Sequence, residues 1–211
     1  MFADSLNNIF GFIADGKQNK LAKRININHH NAVKFAINIL AEGGVIVYPT
    51  DTLYGFGVDA TNDEAIEKIN RIKERNGPMS VMAANIDMAL DWIDIRDKQT
   101  EVIIPYLGGV QTLIIPVKNN IVNAKILGEN NTLGIRIPNN KFCNELSSQF
   151  GKPIVSTSVN RSGQQPMNDP HQIELKFGPE INLLIESGTL PHSKGSTIYL
   201  FKDNNITILR K

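Results

Sequence analysis

The sequence holds one cysteine, Cys143, among 211 residues. A single thiol excludes an internal disulfide framework and a thiolate zinc cluster, because both need several. No apolar run approaches the roughly 20 residues that span a bilayer, so no membrane contact is expected. The opening Met-Phe-Ala-Asp-Ser-Leu-Asn-Asn-Ile lacks the basic start and long apolar core of a secretory signal. The expectation is a cytoplasmic protein. Excess charge of one sign is also missing: 22 Lys and Arg stand against 21 Asp and Glu, a net +1. That balance excludes a globally basic nucleic-acid binder but leaves room for a local basic groove. No repeat, low-complexity tract or linker divides the chain.

What is present is an ordinary globular composition, 41% hydrophobic and 20% charged, on a chain long enough for a sizeable core. It is organised around the stretch from Gly43 to Gly57. Val45-Ile46-Val47-Tyr48 is a short β-branched run set between Gly43-Gly44 and Pro49, which predicts a buried strand. The strand opens onto Thr50, Asp51, Thr52 and Tyr54, a cluster of hydroxyls with one carboxylate. Gly55 and Gly57 follow, where backbone can pass close to a ligand. In α/β sheets ligands gather beyond the carboxyl ends of strands. Taken alone, a turn in which Thr and Asp merely cap the next element explains the stretch equally well.

The periodicity elsewhere alternates between strand and helix. Phe2, Leu6, Ile9, Phe10 and Ile13 predict a short amphipathic helix. Gly11 to Lys17 matches part of a phosphate-binding loop, but Gln18 replaces the hydroxyl that holds magnesium, and the match is coincidental. A strand is expected over 23–28 and a helix over 31–42, with Val33, Ile37 and Leu40 on one face. Asn62 caps a helix that buries Ile66, Ile69 and Ile72. A strand at 80–83, helices over 85–92 and 97–107 and a strand at 110–116 follow. A helix over 141–150, closed by Gly151, leads to a strand at 153–156. Asp169-Pro170 starts a last helix with Ile173 and Phe177 inward. The chain ends in a hairpin around Asp203-Asn204-Asn205.

Three further stretches carry candidate binding groups. In Lys73-Glu74-Arg75-Asn76-Gly77-Pro78, Gly77 and Pro78 end the helix, so Lys73 and Arg75 can converge on an anion, one as a point charge and one as a planar fork. A solvated helix terminus is the plainer reading of a lone Lys-x-Arg. In Leu133-Gly134-Ile135-Arg136-Ile137-Pro138, alternation sets Arg136 opposite the apolar side chains and beside a glycine, open to a ligand or to solvent. The loop Thr157 to Gly163 is a hydroxyl and amide cluster suited to phosphate, ribose or carboxylate.

In order along the chain, Pro49-Thr50-Asp51-Thr52-Leu53-Tyr54-Gly55, Lys73-x-Arg75, Thr112, Gly134-Ile135-Arg136-Ile137-Pro138, Ser158-x-Asn160 with Ser162-Gly163, Ser196-Thr197 and Leu209-Arg210 resemble the YrdC/TsaC family. These are the L-threonylcarbamoyladenylate synthases, and the resemblance runs from about Ile25 to Arg210. It implies an α/β fold, a twisted mixed sheet flanked by helices around a deep ligand groove, over 23–211, with 1–22 as an N-terminal extension. It implies formation of threonylcarbamoyl-AMP and pyrophosphate from ATP, L-threonine and bicarbonate. Magnesium would come with the phosphates, with no metal ligand implied in the chain. A separate tRNA threonylcarbamoyl transferase would take the product, and direct tRNA contact is possible.

Carried over by position, the resemblance implies catalytic and ATP-binding roles for Lys73 and Arg75. It implies L-threonine binding for Thr50, Arg136 and Ser196, and ATP binding for Thr112, Ser158, Asn160 and Arg210. Two departures stand out: Asn76-Gly77-Pro78 is shorter than the usual loop after Lys-x-Arg, and Val159 replaces the common alanine. The alternative is an RNA-binding module of the same fold without ATP turnover. A related carbamoyl-adenylate activity in hydrogenase maturation is joined to acylphosphatase and zinc-finger segments, which this chain lacks the length and cysteines to hold.

Overall fold

The computed structural model describes residues 22–211. The amphipathic helix and the phosphate-loop match read from the first residues lie outside them. In chain order the elements are β1 (Lys23–Asn26), α1 (Ala32–Ala41), β2 (Ile46–Pro49), β3 (Tyr54–Gly57), α2 (Asp63–Lys73), β4 (Ser80–Met82) and α3 (Ile86–Trp92). Then come α4 (Thr100–Ile103), β5 (Gln111–Pro116), β6 (Thr132–Arg136), α5 (Lys141–Phe150), β7 (Ile154–Val155) and β8 (Thr157–Ser158). The last are α6 (Pro170–Phe177), β9 (Leu183–Glu186), β10 (Thr197–Lys202) and β11 (Asn205–Arg210).

The strands form two mixed sheets, one of five strands in the order β1-β9-β2-β3-β8 and one of six in the order β11-β10-β5-β6-β4-β7. In the first, β1, β9 and β2 run parallel while β3 and β8 are antiparallel additions. In the second, parallel pairs join β10 to β5 and β4 to β6, with antiparallel pairs between β5 and β6, β10 and β11, and β4 and β7.

Both faces of the five-stranded sheet are covered, and the period of two shows how. Val45 and Val47 enter one core with Phe56, Ile66, Ile69 and Ile135, whereas Ile46 and Tyr48 enter a second with Leu40, Leu146 and Leu183. Such two-sided burial explains why this stretch reads as a continuous apolar run. α2 and α6 supply Ile66, Ile69, Ile173 and Phe177 to the first core, and α1 and α5 supply Leu40 and Leu146 to the second. Each fully buried side chain of this size contributes about 1.5–3 kcal/mol. Asn62, Asn85, Asn140 and Asp169 cap α2, α3, α5 and α6 through their side-chain oxygens.

Four expectations change. The helix over 97–107 is three short pieces, a 3-10 turn, α4 and a second 3-10 turn, because Pro105 brings no N–H to the ladder. α1 buries Ala32, Ala36 and Leu40, with Val33 and Ile37 half-buried at the flank. β1 stops at Asn26, where the His29 N–H bonds back to the Asn26 carbonyl at 2.9 Å and turns the chain. α2 ends at Lys73, ahead of Gly77 and Pro78, because Glu74 takes a left-handed conformation at φ 54°. The closing hairpin does turn through Asp203 and Asn204, both at positive φ.

Candidate active site

One cavity of about 620 Å³ lies where the carboxyl end of β2, the end of α2 and the cavity-facing residues of β5, β6 and β10 meet. All nine residues singled out from the sequence line it: Thr50, Lys73, Arg75, Thr112, Arg136, Ser158, Asn160, Ser196 and Arg210. They come from seven separate stretches of chain, so the fold, not sequence proximity, brings them together. Among the described residues five cations line the cavity, Lys73, Arg75, Arg136, Lys194 and Arg210, against one carboxylate, Glu129. The basic groove is therefore local, within a chain of net charge +1. Such a surface selects anions.

The left-handed Glu74 explains how Lys73 and Arg75 share the cavity. It turns the chain by one residue, so that Lys73, the last residue of α2, and Arg75 both line the cavity while Glu74 faces out to an ion pair with Arg161 at 3.2 Å. Lys73 is 3% exposed. Its Nζ donates to the Ser158 carbonyl and to Asn160 Oδ1, each at 2.7 Å. Asn160 Oδ1 also accepts from Ser158 Oγ at 2.6 Å, and Asn160 Nδ2 donates to the carbonyls of Arg161 at 2.9 Å and Gln164 at 2.7 Å. Burial, and then the charge of Arg75, bring the Lys73 pKa down to about 8.

The turn after β2 is built by one hydroxyl. Thr50 Oγ1 donates to the Leu53 carbonyl at 2.7 Å and accepts from the backbone N–H groups of Thr52 and Leu53. Asp51 is thereby aimed at Arg136. One of its oxygens pairs with Arg136 Nη2 and the other accepts from the Asn139 N–H at 2.8 Å. Arg136 Nη1 reaches Thr52 Oγ1 at 3.4 Å, and Arg136 Nε is buried with no partner among the described residues. Across the cavity Thr112 Oγ1 and Ser196 Oγ bond at 2.7 Å, and Arg210 Nη2 holds the Ser196 carbonyl at 2.8 Å.

Gly134 opens the space, since a Cβ there would lie 2.5 Å from Ser80 Oγ, whereas Gly57 makes room in the core, where a Cβ would lie 2.7 Å from Tyr48 Cε1. Cys143 sits buried beneath the turn, its Sγ 3.5 Å from the Pro49 carbonyl, with burial pushing the thiol pKa up. Sequence reasoning did not single out Lys194 or Glu129, and it noted Asp51 without a partner. The signal for Asp51 was its place inside the hydroxyl cluster, and Lys194 had only its position two residues before Ser196.

The family model for Sua5/YciO/YrdC proteins, described as "Telomere recombination", matches residues 38–211. The chain belongs to the Sua5/YciO/YrdC family. A threonylcarbamoyl-AMP synthase of Pseudoalteromonas translucida is 29% identical over 178 residues, which cover 82% of this chain and 94% of the relative. A threonylcarbamoyl-AMP synthase of Photobacterium profundum is 30% identical over 158 residues, 72% of this chain and 85% of the relative. The crystal structure of P. abyssi Sua5 complexed with L-threonine superposes with a TM-score of 0.79 at 22% identity, over 90% of this chain. The chain spans 57% of that longer protein, and the likeness shows the shared fold. Among the described residues no helix is long and apolar enough to cross a membrane.

Proposed function

We propose that this member of the Sua5/YciO/YrdC family is an L-threonylcarbamoyladenylate synthase. Its relatives from Pseudoalteromonas and Photobacterium bear that name. The observation that carries the reading is the gathering of nine residues from the family-like motifs on one cation-lined cavity.

The chemistry needs no protein nucleophile. Threonine's neutral amine adds to the carbon of bicarbonate with loss of water, or to carbon dioxide with loss of a proton to solvent, and gives a carbamate. A carbamate oxygen then attacks the α-phosphorus of ATP as the bond to the pyrophosphate oxygen breaks, and pyrophosphate leaves with the electron pair. What the chain contributes is placement and charge stabilisation. Lys73 and Arg75 bind the phosphates and the carbamate. Thr112, Ser158 and Arg210 surround the nucleotide. Thr50 shapes the turn beneath threonine, Ser196 holds its polar end, and Arg136 receives its carboxylate, for which the unpartnered Nε is a donor in waiting.

Magnesium suits this site as the companion of the phosphates, whose charge it neutralises when bound. The phosphates would supply most of its ligands, and Glu129, a carboxylate on the cavity lining, would be the protein group placed to join them. In this reading residues 23–211 are the catalytic domain, 1–22 an N-terminal extension, and a separate transferase in the cytoplasm passes the product to tRNA.

The test is pyrophosphate release from ATP with bicarbonate and magnesium, with and without L-threonine, and with serine as control. Threonine-dependent release is the expected result. Release that ignores threonine, or none at all, overturns the reading.

A further inference from the structure

We propose that Asn160 is a positioning residue that works through Lys73: its amide oxygen clamps the Lys73 ammonium so that one N–H is left for an anion, and the amide itself touches no ligand. The resemblance had placed Asn160 on the nucleotide. The inference rests on the ATP reading for the anion's identity, and on geometry alone for the clamp.

The hydrogen-bond inventory of Asn160 is full. A side-chain amide has two acceptor sites and two N–H donors. Lys73 Nζ and Ser158 Oγ take the oxygen, at 2.7 and 2.6 Å, and the carbonyls of Arg161 and Gln164 take both hydrogens. The residue is 8% exposed. A nucleotide could gain a bond to this amide only by breaking one of four that exist.

Lys73 shows the complementary count. An ammonium has three N–H donors; two go to the Ser158 carbonyl and Asn160 Oδ1. Because Lys73 also lines the cavity, the third is available there. Both acceptors are uncharged, so they fix direction without cancelling the charge. A carboxylate at position 160 would fix the same direction and neutralise it. The charged neighbours do not offset it either: Arg75 repels it, while Glu74 and Glu180 are paired with Arg161. Among the described residues Lys73 has no ion-pair partner within 4.0 Å. The clamp is anchored in turn, since the Asn160 amide hydrogens tie residues 160–164 into one loop, which the Gln164 N–H to Arg161 carbonyl bond closes at 3.1 Å.

Two variants test this, Asn160→Ala and Asn160→Asp, with thermal melts to establish folding. The Lys73 titration is followed by NMR of carbon-13-labelled lysine side chains, assigned with Lys73→Ala, and ATP affinity is measured at pH 7.5 by calorimetry. The midpoint for Lys73 should move to higher pH in Asn160→Asp, and ATP should bind about tenfold more weakly to both variants. A folded Asn160→Asp with an unmoved midpoint, or a folded Asn160→Ala with unchanged ATP affinity, overturns the proposal. In the unmutated protein the Asn160 side-chain amide hydrogens should exchange slowly before any ATP is added, because both are bonded to carbonyls; fast exchange shows that the amide is not held and overturns the proposal too, even if neither variant folds. If the unmutated protein binds no ATP, the functional reading fails while the lysine titration still decides the clamp.

Discussion

Lys73 is held at a cost to the fold, and the cost has a sign. Its pKa falls from 10.5 to about 8, so the unfolded chain binds this proton more tightly than the native one. Stability contributed by the rest of the molecule is therefore reduced at every pH below about 8. The penalty, at 1.36 kcal/mol per pKa unit about 3 kcal/mol, is recovered as pH rises from 8 to 10.5. Lys73→Met keeps the stem and removes the charge, but takes a donor from the Ser158 carbonyl and Asn160 Oδ1; the two effects offset, and the variant should be about as stable as the native protein at pH 7. Urea unfolding at pH 7 and pH 10 should show the native protein gaining on the variant as pH rises. Pyrophosphate release should fall by about 100-fold or more in Lys73→Met, because a preorganised charge on a transferring phosphate is of that worth. A variant with full turnover would remove Lys73 from the reaction.

At the scale of elements, β6 leaves no room for a Cβ at Gly134, where it passes Ser80 of β4. Gly134 is the register partner of Ser80, and a Cβ there would stand 2.5 Å from Ser80 Oγ and 3.3 Å from Thr112 Cγ2. Gly134→Ala should cost about 1–3 kcal/mol as overpacking, and it should reduce turnover because Ser80, Thr112 and Gly134 all line the cavity. Ser80→Ala removes the nearest atom, so the double variant should recover part of the loss. Denaturant unfolding of the four proteins gives the coupling; simple additivity would show that the two sites do not meet.

The same elements show what a sequence can and cannot reveal. The caps at Asn62 and Asp169, the alternation that sets Arg136 opposite the apolar side chains and the Asp203-Asn204 turn were legible, because each follows from local chemistry within a few residues. β3 was hidden because its glycines look like a loop, whereas Gly57 is there to pack against Tyr48. β9 is a four-residue run whose role as the strand between β1 and β2 depends on partners more than a hundred residues away. The left-handed Glu74 has no glycine to announce it. Nine residues that line the cavity could be named from their ordered motifs, but the state of each could not. That Asn160 is saturated, Thr50 spent within its turn and Arg136 already paired with Asp51 are facts of packing.

For the molecule as a whole, the Asp51–Arg136 pair links the two sheets beside the cavity. Asp51 follows β2 in the five-stranded sheet, and Arg136 ends β6 in the six-stranded one. Their side chains are only 9% and 8% exposed. Such a pair attracts strongly but loses much hydration, so removing one partner harms far more than replacing both. Asp51→Ala leaves Arg136 charged and buried, and should cost about 3–5 kcal/mol. The double change Asp51→Leu with Arg136→Met fills the space with apolar atoms and should regain most of that stability. The Asn139 N–H that loses its acceptor is in an exposed bond, where water can replace it. Turnover should not return, because the double variant lacks the guanidinium proposed to meet the substrate carboxylate. Urea unfolding and threonine-dependent pyrophosphate release, run on the same samples, separate the two roles. A double variant that is stable and fully active would make the pair a structural strut alone, whereas one as unstable as Asp51→Ala would show that the charges themselves hold the sheets.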